Sequence, residues 1–283
     1  MKYQVERILI MANFKGKISI VTGAASGIGR ALCEELAREE AVVVASDINT
    51  EGAQEVASKI NETGGQATSV HLDVSQSGDV TDFVNKTAND YGRIDYIFNN
   101  AGVSVVGEVR DMNIEHWQKV IGINLMGVIY GTIAAYAQMV KQGSGHIVNI
   151  ASLAGLIGNP TNIPYTAAKF GVVGLSASLR SEGKDLGVNV SVVCPGYVDT
   201  GIYAATPFLK ADREKVLSNI SFKMVEVKKA ARLILKGVIR NKAFITFPFY
   251  AHLLWWIYRF HPTLLDPLGR KMVKDFRALR IES

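Results

Sequence analysis

"KISIVTGAASGIGRALCEELAREEAVVVASD", residues 17–47, decides the fold. It opens with a short apolar run, "KISIVTG" (17–23), which reads as a buried strand. A helix-like segment, "GRALCEELAREE" (29–40), follows, and then a β-branched run, "AVVVASD" (41–47), that ends in an acid. Strand, glycine turn, helix and strand make one βαβ unit. Gly23, Gly27 and Gly29 permit a tight turn and close backbone approach. Together with Ser26 and Ile28 they open the helix, whose free N–H groups suit an anionic pyrophosphate. The spacing is G-x-x-x-G-x-G rather than the commoner G-x-G-x-x-G. A glycine turn alone is often structural, so its position after the first strand carries the inference. Asp47 ends the second strand, where a carboxylate can accept hydrogen bonds from ribose hydroxyls and repel a 2′-phosphate. Residue 26 is Ser and offers no cation to such a phosphate. Both features favour NAD over NADP.

The same alternation continues outward. "ATSVHLDV" (67–74), "RIDYIFNNAG" (93–102), "GHIVNIAS" (145–152), "NVSVVCPG" (189–196) and "KAFITF" (242–247) read as further strands. Helical stretches at 51–63, 76–91, 113–141 and 165–186 separate most of them. Short apolar strands alternating with helices predict an α/β fold: a doubly wound parallel sheet covered on both faces. Ligands bind such sheets at the carboxyl ends of the strands. Gly23, Asp47, Asp73, Asn100, Ser152, Pro195 and Gly196 all fall at those ends.

Bulk properties exclude several alternatives. The 283 residues are 48% hydrophobic and 20% charged, with a formal charge of +5. That composition is ordinary for a globular protein, and no dense basic run points to nucleic acid. Cys33 and Cys194 have no metal-like spacing, and the histidines are scattered, so no metal site is expected. A reducing cytoplasm is the default compartment. Residues 1–11 do not make a secretion signal, and Met11 is an alternative start to Met1.

The motifs, taken together, resemble the short-chain dehydrogenases/reductases. They are "TGAASGIG" (22–29), "DV" (73–74), "NNAG" (99–102), Asn124 in "GINLMG", Ser152 in "NIAS", "YTAAK" (165–169) and "PGYVDT" (195–200). They stand in family order across residues 14–200. The resemblance implies a seven-stranded Rossmann sheet, a nicotinamide cofactor and a homodimer or homotetramer. By position, Asp73 and Val74 should meet the adenine. Asn100, Ala101 and Gly102 should lie along the cofactor, and Pro195, Gly196, Val198 and Thr200 should hold the nicotinamide end. The implied catalytic set is Asn124, Ser152, Tyr165 and Lys169. Lys169 would also bind the nicotinamide ribose, and Asn124 would distort its helix and hold a water behind Lys169.

"PYTAAKFG" (164–171) carries the chemistry. A tyrosine has an unperturbed pKa near ~10 and is a poor base at neutral pH. A lysine ammonium one helical turn away should favour the phenolate and lower that pKa. Tyr165 could then exchange a proton with an alcohol or carbonyl oxygen. Ser152 could hold the same oxygen and share its developing charge.

The carboxyl end sets expectations about the substrate. A single catalytic domain over 12–243 is expected, with a lid at about 201–222 and an extension over 244–283. Tyr203 and Phe208 suggest an apolar substrate wall in the lid. "FITFPFYAHLLWWIYRF" (244–260) is too short and interrupted for a bilayer span. After Pro262, Leu265, Leu268, Met272, Phe276 and Leu279 recur at helical spacing with basic residues between them. That amphipathic helix could pack on its own domain, cover an interface or lie on a membrane surface. The leading expectation is an NAD-dependent oxidoreductase of a lipophilic secondary alcohol or ketone. The alternatives are an NADPH-linked ketone or 3-oxoacyl reductase and a non-catalytic NAD-binding sensor or scaffold. Retention of Tyr165 and Lys169 weighs against the sensor.

Overall fold

The computed structural model describes residues 13–219 and 222–281. The first ten residues and Met11, raised above as an alternative start, lie outside the described residues. The βαβ unit of residues 17–47 forms as read: β1 (Ile18–Thr22), α1 (Gly27–Arg38) and β2 (Val42–Asp47). Then follow α2 (Thr50–Glu62), β3 (Gln66–His71), α3 (Ser77–Tyr91), β4 (Tyr96–Asn99), α4 (Ile114–Ile121) and α5 (Gly127–Gln142). After these come β5 (Gly145–Ile150), α6 (Ile163–Gly183) and β6 (Val188–Pro195). Two short strands, β7 (Val198–Asp199) and β8 (Val225–Glu226), pair with each other and bracket the short helices α7 (Ile202–Ala205) and α8 (Arg213–Ser218). The chain closes with α9 (Val227–Ile239), β9 (Phe244–Phe247), α10 (Phe249–Phe260) and α11 (Asp266–Ala278).

Seven strands form one sheet in the order β3-β2-β1-β4-β5-β6-β9, every pair parallel. The order reverses between β1 and β4, which opens a crevice at their carboxyl ends. Strand side chains alternate between two buried layers. Val21, Phe98 and Val148 pack under α1 and α9 with Leu32, Leu36 and Ile234. Ile20, Ile97 and Ile147 pack on the opposite face with Phe83, Val84 and Met139 from α3 and α5. Burial on both faces is why these strands read as continuous apolar runs rather than alternating ones. Two strands end earlier than the sequence suggests. β3 stops at His71 and β4 at Asn99, so Asp73, Val74 and "AG" 101–102 are loop residues at the strand ends.

The long helical stretch 113–141 is interrupted by a π-helical turn, Gly122–Met126, centred on Asn124. The carboxyl extension packs against the rest of the chain. Ala251 is fully buried among Leu153, Leu156 and Val172, with Leu254, Trp255, Tyr258 and Leu265 against them. Phe276 is buried with Val106 and Ala211. Burying one such aromatic contributes roughly 1.5–3 kcal/mol. The apolar stripe that could have met a membrane is therefore turned inward. Its cations are partly committed as well: Arg277 and Arg280 pair with Glu108 and Asp111, and Lys271 pairs with Asp275. The outward side of α10 is different, with Phe249 81% and Trp256 54% exposed.

Candidate active site

The crevice is one continuous cavity of about 1360 Å³. Its nucleotide end is built from the first βα turn. Gly23 and Gly27 have φ of 67° and 54°, in the left-handed region that favours glycine. Gly23, Ser26, Gly27 and Ile28 line the cavity. Gly29 does not; it packs beneath the loop, where a Cβ would lie 2.0 Å from the Gly23 carbonyl oxygen. The glycine there allows the helix to start directly against the turn.

Asp47 lines the same end and positions it. Its Oδ2 accepts from the Ala25 amide at 2.9 Å and its Oδ1 from the Asn49 amide at 2.8 Å. Asp73 and Val74 lie on the wall beyond it. Burial opposes the Asp73 charge, but the amide and hydroxyl of Ser75 donate to Oδ1 and hold the carboxyl below its usual range. Asn100, Ala101 and Gly102 line the floor. The Asn100 amide group donates to the Thr22 and Gly23 carbonyls at 2.9 and 3.2 Å. Thr22 Oγ1 in turn accepts from the Asn100 and Ala101 amides. Thr22 thereby fixes the switch point, a role its position in an apolar strand did not reveal. Pro195, Gly196, Val198 and Thr200 line the opposite wall, after β6.

Ser152, Tyr165 and Lys169 meet in the middle of the cavity. Ser152 caps the short turn after β5, with its Oγ accepting from the Ala154 amide at 3.1 Å. Pro164 in the first turn of α6 fixes where that helix begins, one residue before Tyr165. Lys169 is 3% exposed. Its Nζ donates to the Ile150 carbonyl at 2.7 Å and stands 5.4 Å from the centre of the Tyr165 ring. Burial pushes the Tyr165 phenol up to about 12, and hydrogen bonding with Ser152 offsets this only in part. Burial also pulls Lys169 down to about 8. This corrects the expectation of a depressed tyrosine pKa. The desolvation that brings the pair together disfavours both charges before the neighbouring ammonium can favour the phenolate.

Asn124 is fully buried and off the cavity wall. Its amide donates to the Val103 carbonyl, and its Oδ1 accepts from the Val103 amide, both at 2.8 Å. Both side-chain atoms are thus engaged with the cavity-lining loop after β4, rather than with Lys169.

Tyr203 lines the cavity, and burial holds its phenol well above the ordinary range. Phe208 does not line it, which corrects its assignment to the substrate wall. It packs instead on the Val106, Ala211 and Phe276 cluster beneath the Arg213 guanidinium. The apolar wall comes from Leu254, Tyr258, Leu265, Leu268 and Met272 of the carboxyl extension. Tyr250 does not line the cavity but supports two residues that do, its hydroxyl accepting from the Tyr197 amide at 2.8 Å and its ring stacking on Phe222. A buried pair, Ser104 and Asn162, also lines the site and joins the loop after β4 to the start of α6. Aromatic density pointed to residues 247–258, but their partners are dozens of positions away and left no local signal.

Comparison with known proteins agrees with this geometry. Residues 17–207 match the family model for short chain dehydrogenase. The chain is 35% identical over 206 residues to 3-oxoacyl-[acyl-carrier-protein] reductase FabG of Thermotoga maritima, covering 73% of this chain and 83% of that protein. It is 38% identical over 197 residues to cyclohexanol dehydrogenase of an Acinetobacter species, covering 69% and 78%. A short chain dehydrogenase/reductase from Burkholderia phymatum, crystallised in complex with NAD, superposes with a TM-score of 0.77 at 26% identity, covering 96% of this chain and 98% of that one. The chain belongs to the short-chain dehydrogenase/reductase family and is an oxidoreductase of that type.

Proposed function

We propose that the protein interconverts a lipophilic secondary alcohol and its ketone, with NAD as its nicotinamide cofactor. The observation that carries this reading is one continuous cavity. It runs from the Asp47 carboxylate, past Ser152, Tyr165 and Lys169, to an apolar wall of carboxyl-terminal side chains. The residues fit a dinucleotide. At Gly23 and Gly27 the turn offers bare backbone to the cavity, with Ser26 and Ile28 beside it, and Asp47 stands where ribose hydroxyls would be met. Gly23, Gly27 and Asn100 would hold the nucleotide, and Val198 and Thr200 the nicotinamide end. When bound, that group supplies or accepts the hydride.

The chain's own residues manage the oxygen and its proton. A phenol with a pKa near about 12 is protonated at neutral pH, so Tyr165 is ready to donate to a carbonyl oxygen. Ser152 would hydrogen bond the same oxygen and fix it beside Tyr165. Lys169 is held by the Ile150 carbonyl and keeps a positive group beneath the phenol ring. It would favour the phenolate left after transfer. In the direction of alcohol oxidation Tyr165 must begin deprotonated, so that rate should rise with pH.

Likeness to a 3-oxoacyl-[acyl-carrier-protein] reductase supports a second reading, an NADPH-linked reductase of ketones or 3-oxoacyl groups. Asp47 weighs against it through repulsion of a 2′-phosphate. The test is Tyr165→Phe against a panel of secondary alcohols and ketones, followed by NADH absorbance. Turnover should fall by ~10²-fold or more, the scale of general acid–base catalysis, with NADH binding kept. Near-parental turnover in a chemistry-limited assay would remove Tyr165 from this role.

A further inference from the structure

We propose that the outer end of the substrate cavity is an anion subsite formed by Arg270 and Lys274. The substrate would then be an anionic amphiphile: a hydrocarbon body bearing the reacting alcohol or ketone, tipped by a carboxylate or phosphate. The identity of the reacting group rests on the function proposed above; the subsite itself does not.

Arg270, Val273, Lys274 and Arg277 fall at i, i+3, i+4 and i+7 of α11, which places them on one helical face. All four line the cavity. They stand at its substrate end. A Cβ at Gly269 would lie 3.6 Å from Pro160, in the loop leading to α6, and Arg277 reaches Glu108 after β4. The nucleotide end lies across the cavity, at Gly27, Asp47 and Asp73.

The carboxylates around this rim are mostly committed. Glu108 accepts from Arg277 and Arg110, Asp111 from Arg280, and Asp275 from Lys271. Arg270 and Lys274 have no ion-pair partner among the described residues. Asp266, one turn before Arg270, also lines the rim and neutralises at most one of them. A free positive charge therefore remains at the rim, beside the apolar wall of the cavity. The wall beside it, from Leu265, Leu268 and Met272, suits a hydrocarbon. A substrate spanning this path buries its chain and leaves its tip beside two cations. Such charges at an exposed mouth act on affinity and encounter more than on the chemical step.

The test is calorimetric titration of the full chain, with and without NADH, using decanoate, decyl phosphate and 2-decanol as probes. At low salt at least one anion should bind about tenfold tighter than 2-decanol, equivalent to ~1.4 kcal/mol. R270Q/K274Q should abolish that preference and leave 2-decanol and NADH binding unchanged. Both substituted side chains are exposed, so the variant should fold. Preference for decanoate alone identifies a carboxylate tip, and for decyl phosphate alone a phosphate tip. Equal affinity for all three probes, or a preference that survives the double substitution, overturns the subsite. If the charge preference stands but no alcohol or ketone in the panel turns over, the oxidoreductase function fails and the subsite remains.

Discussion

Replacing Lys169 with methionine should change how stability depends on pH, in a direction the site dictates. The ammonium is 3% exposed, and burial pulls its pKa from the ordinary lysine range down to about 8. A lysine in the unfolded chain keeps its proton to pH ~10.4. Between about pH 8 and 10 the unfolded state therefore binds more protons than the folded one, and stability rises with pH. Each pH unit in that window is worth at most ~1.4 kcal/mol, so the rise amounts to about 2–3 kcal/mol. Below pH ~8 the buried charge is fully present, and its desolvation weighs against folding. Tyr165 acts later and in the opposite sense. Its folded phenol holds its proton to about 12, so its contribution to stability declines only above pH ~10. Lys169→Met removes the lysine contribution and leaves the other groups in place. The assay is urea denaturation of parent and variant at several pH values from 7 to 10, without cofactor. The difference in unfolding free energy should move by about 2–3 kcal/mol in favour of the parent as pH rises. Parallel curves, with a difference constant within ~0.5 kcal/mol, would refute the reasoning: the ammonium would then not be desolvated in the folded protein.

Two further outcomes follow from other parts of the cavity. NAD(H) should bind at least ~10-fold tighter than NADP(H), and Asp47→Asn should narrow that gap because it removes the charge while keeping an acceptor for one of the two loop amides; calorimetry with equal affinities in the parent would reject the role given to Asp47. Glu108→Gln should loosen α11 from the loop after β4 and speed its proteolysis and hydrogen exchange, with the sheet unaffected. Hydrogen bonds from Arg277, ahead of an opposing burial effect, hold the Glu108 pKa below the usual range. The difference between parent and variant should thus be present above pH ~4.3 and fade as pH falls through the lower folded value. Equal exchange of residues 266–278 in both proteins at pH 7 would show that Glu108 does not hold the helix.

The sequence by itself determined the sheet and brought Ser152, Tyr165 and Lys169 to notice as residues of one crevice. Residues 17–47 were legible because a βαβ unit is a local object: apolar run, glycine turn, helical period and terminal acid sit within one short window. Strands buried on both faces announce themselves by continuous apolar runs, and Ser152 and Tyr165 follow fixed elements at fixed spacing. Even the break at Asn124 was legible, as a π-helical turn at 122–126 shows. Tertiary structure decided what depends on distant partners. Phe208 was misassigned because its neighbours Val106 and Phe276 lie on other elements. That the apolar stripe of α11 packs on its own chain depended on Phe276 meeting Val106 and Ala211, and on the ion pairs of Arg277 and Arg280 with Glu108 and Asp111, 169 residues away. Charge states belonged to the same class. Tyr165 and Lys169 are one helical turn apart in any reading, but only packing showed that Lys169 is buried and that Tyr165 stands partly buried at the cavity wall. Desolvation is a property of the whole surroundings and has no signature in spacing, so it reversed the direction of the tyrosine's shift.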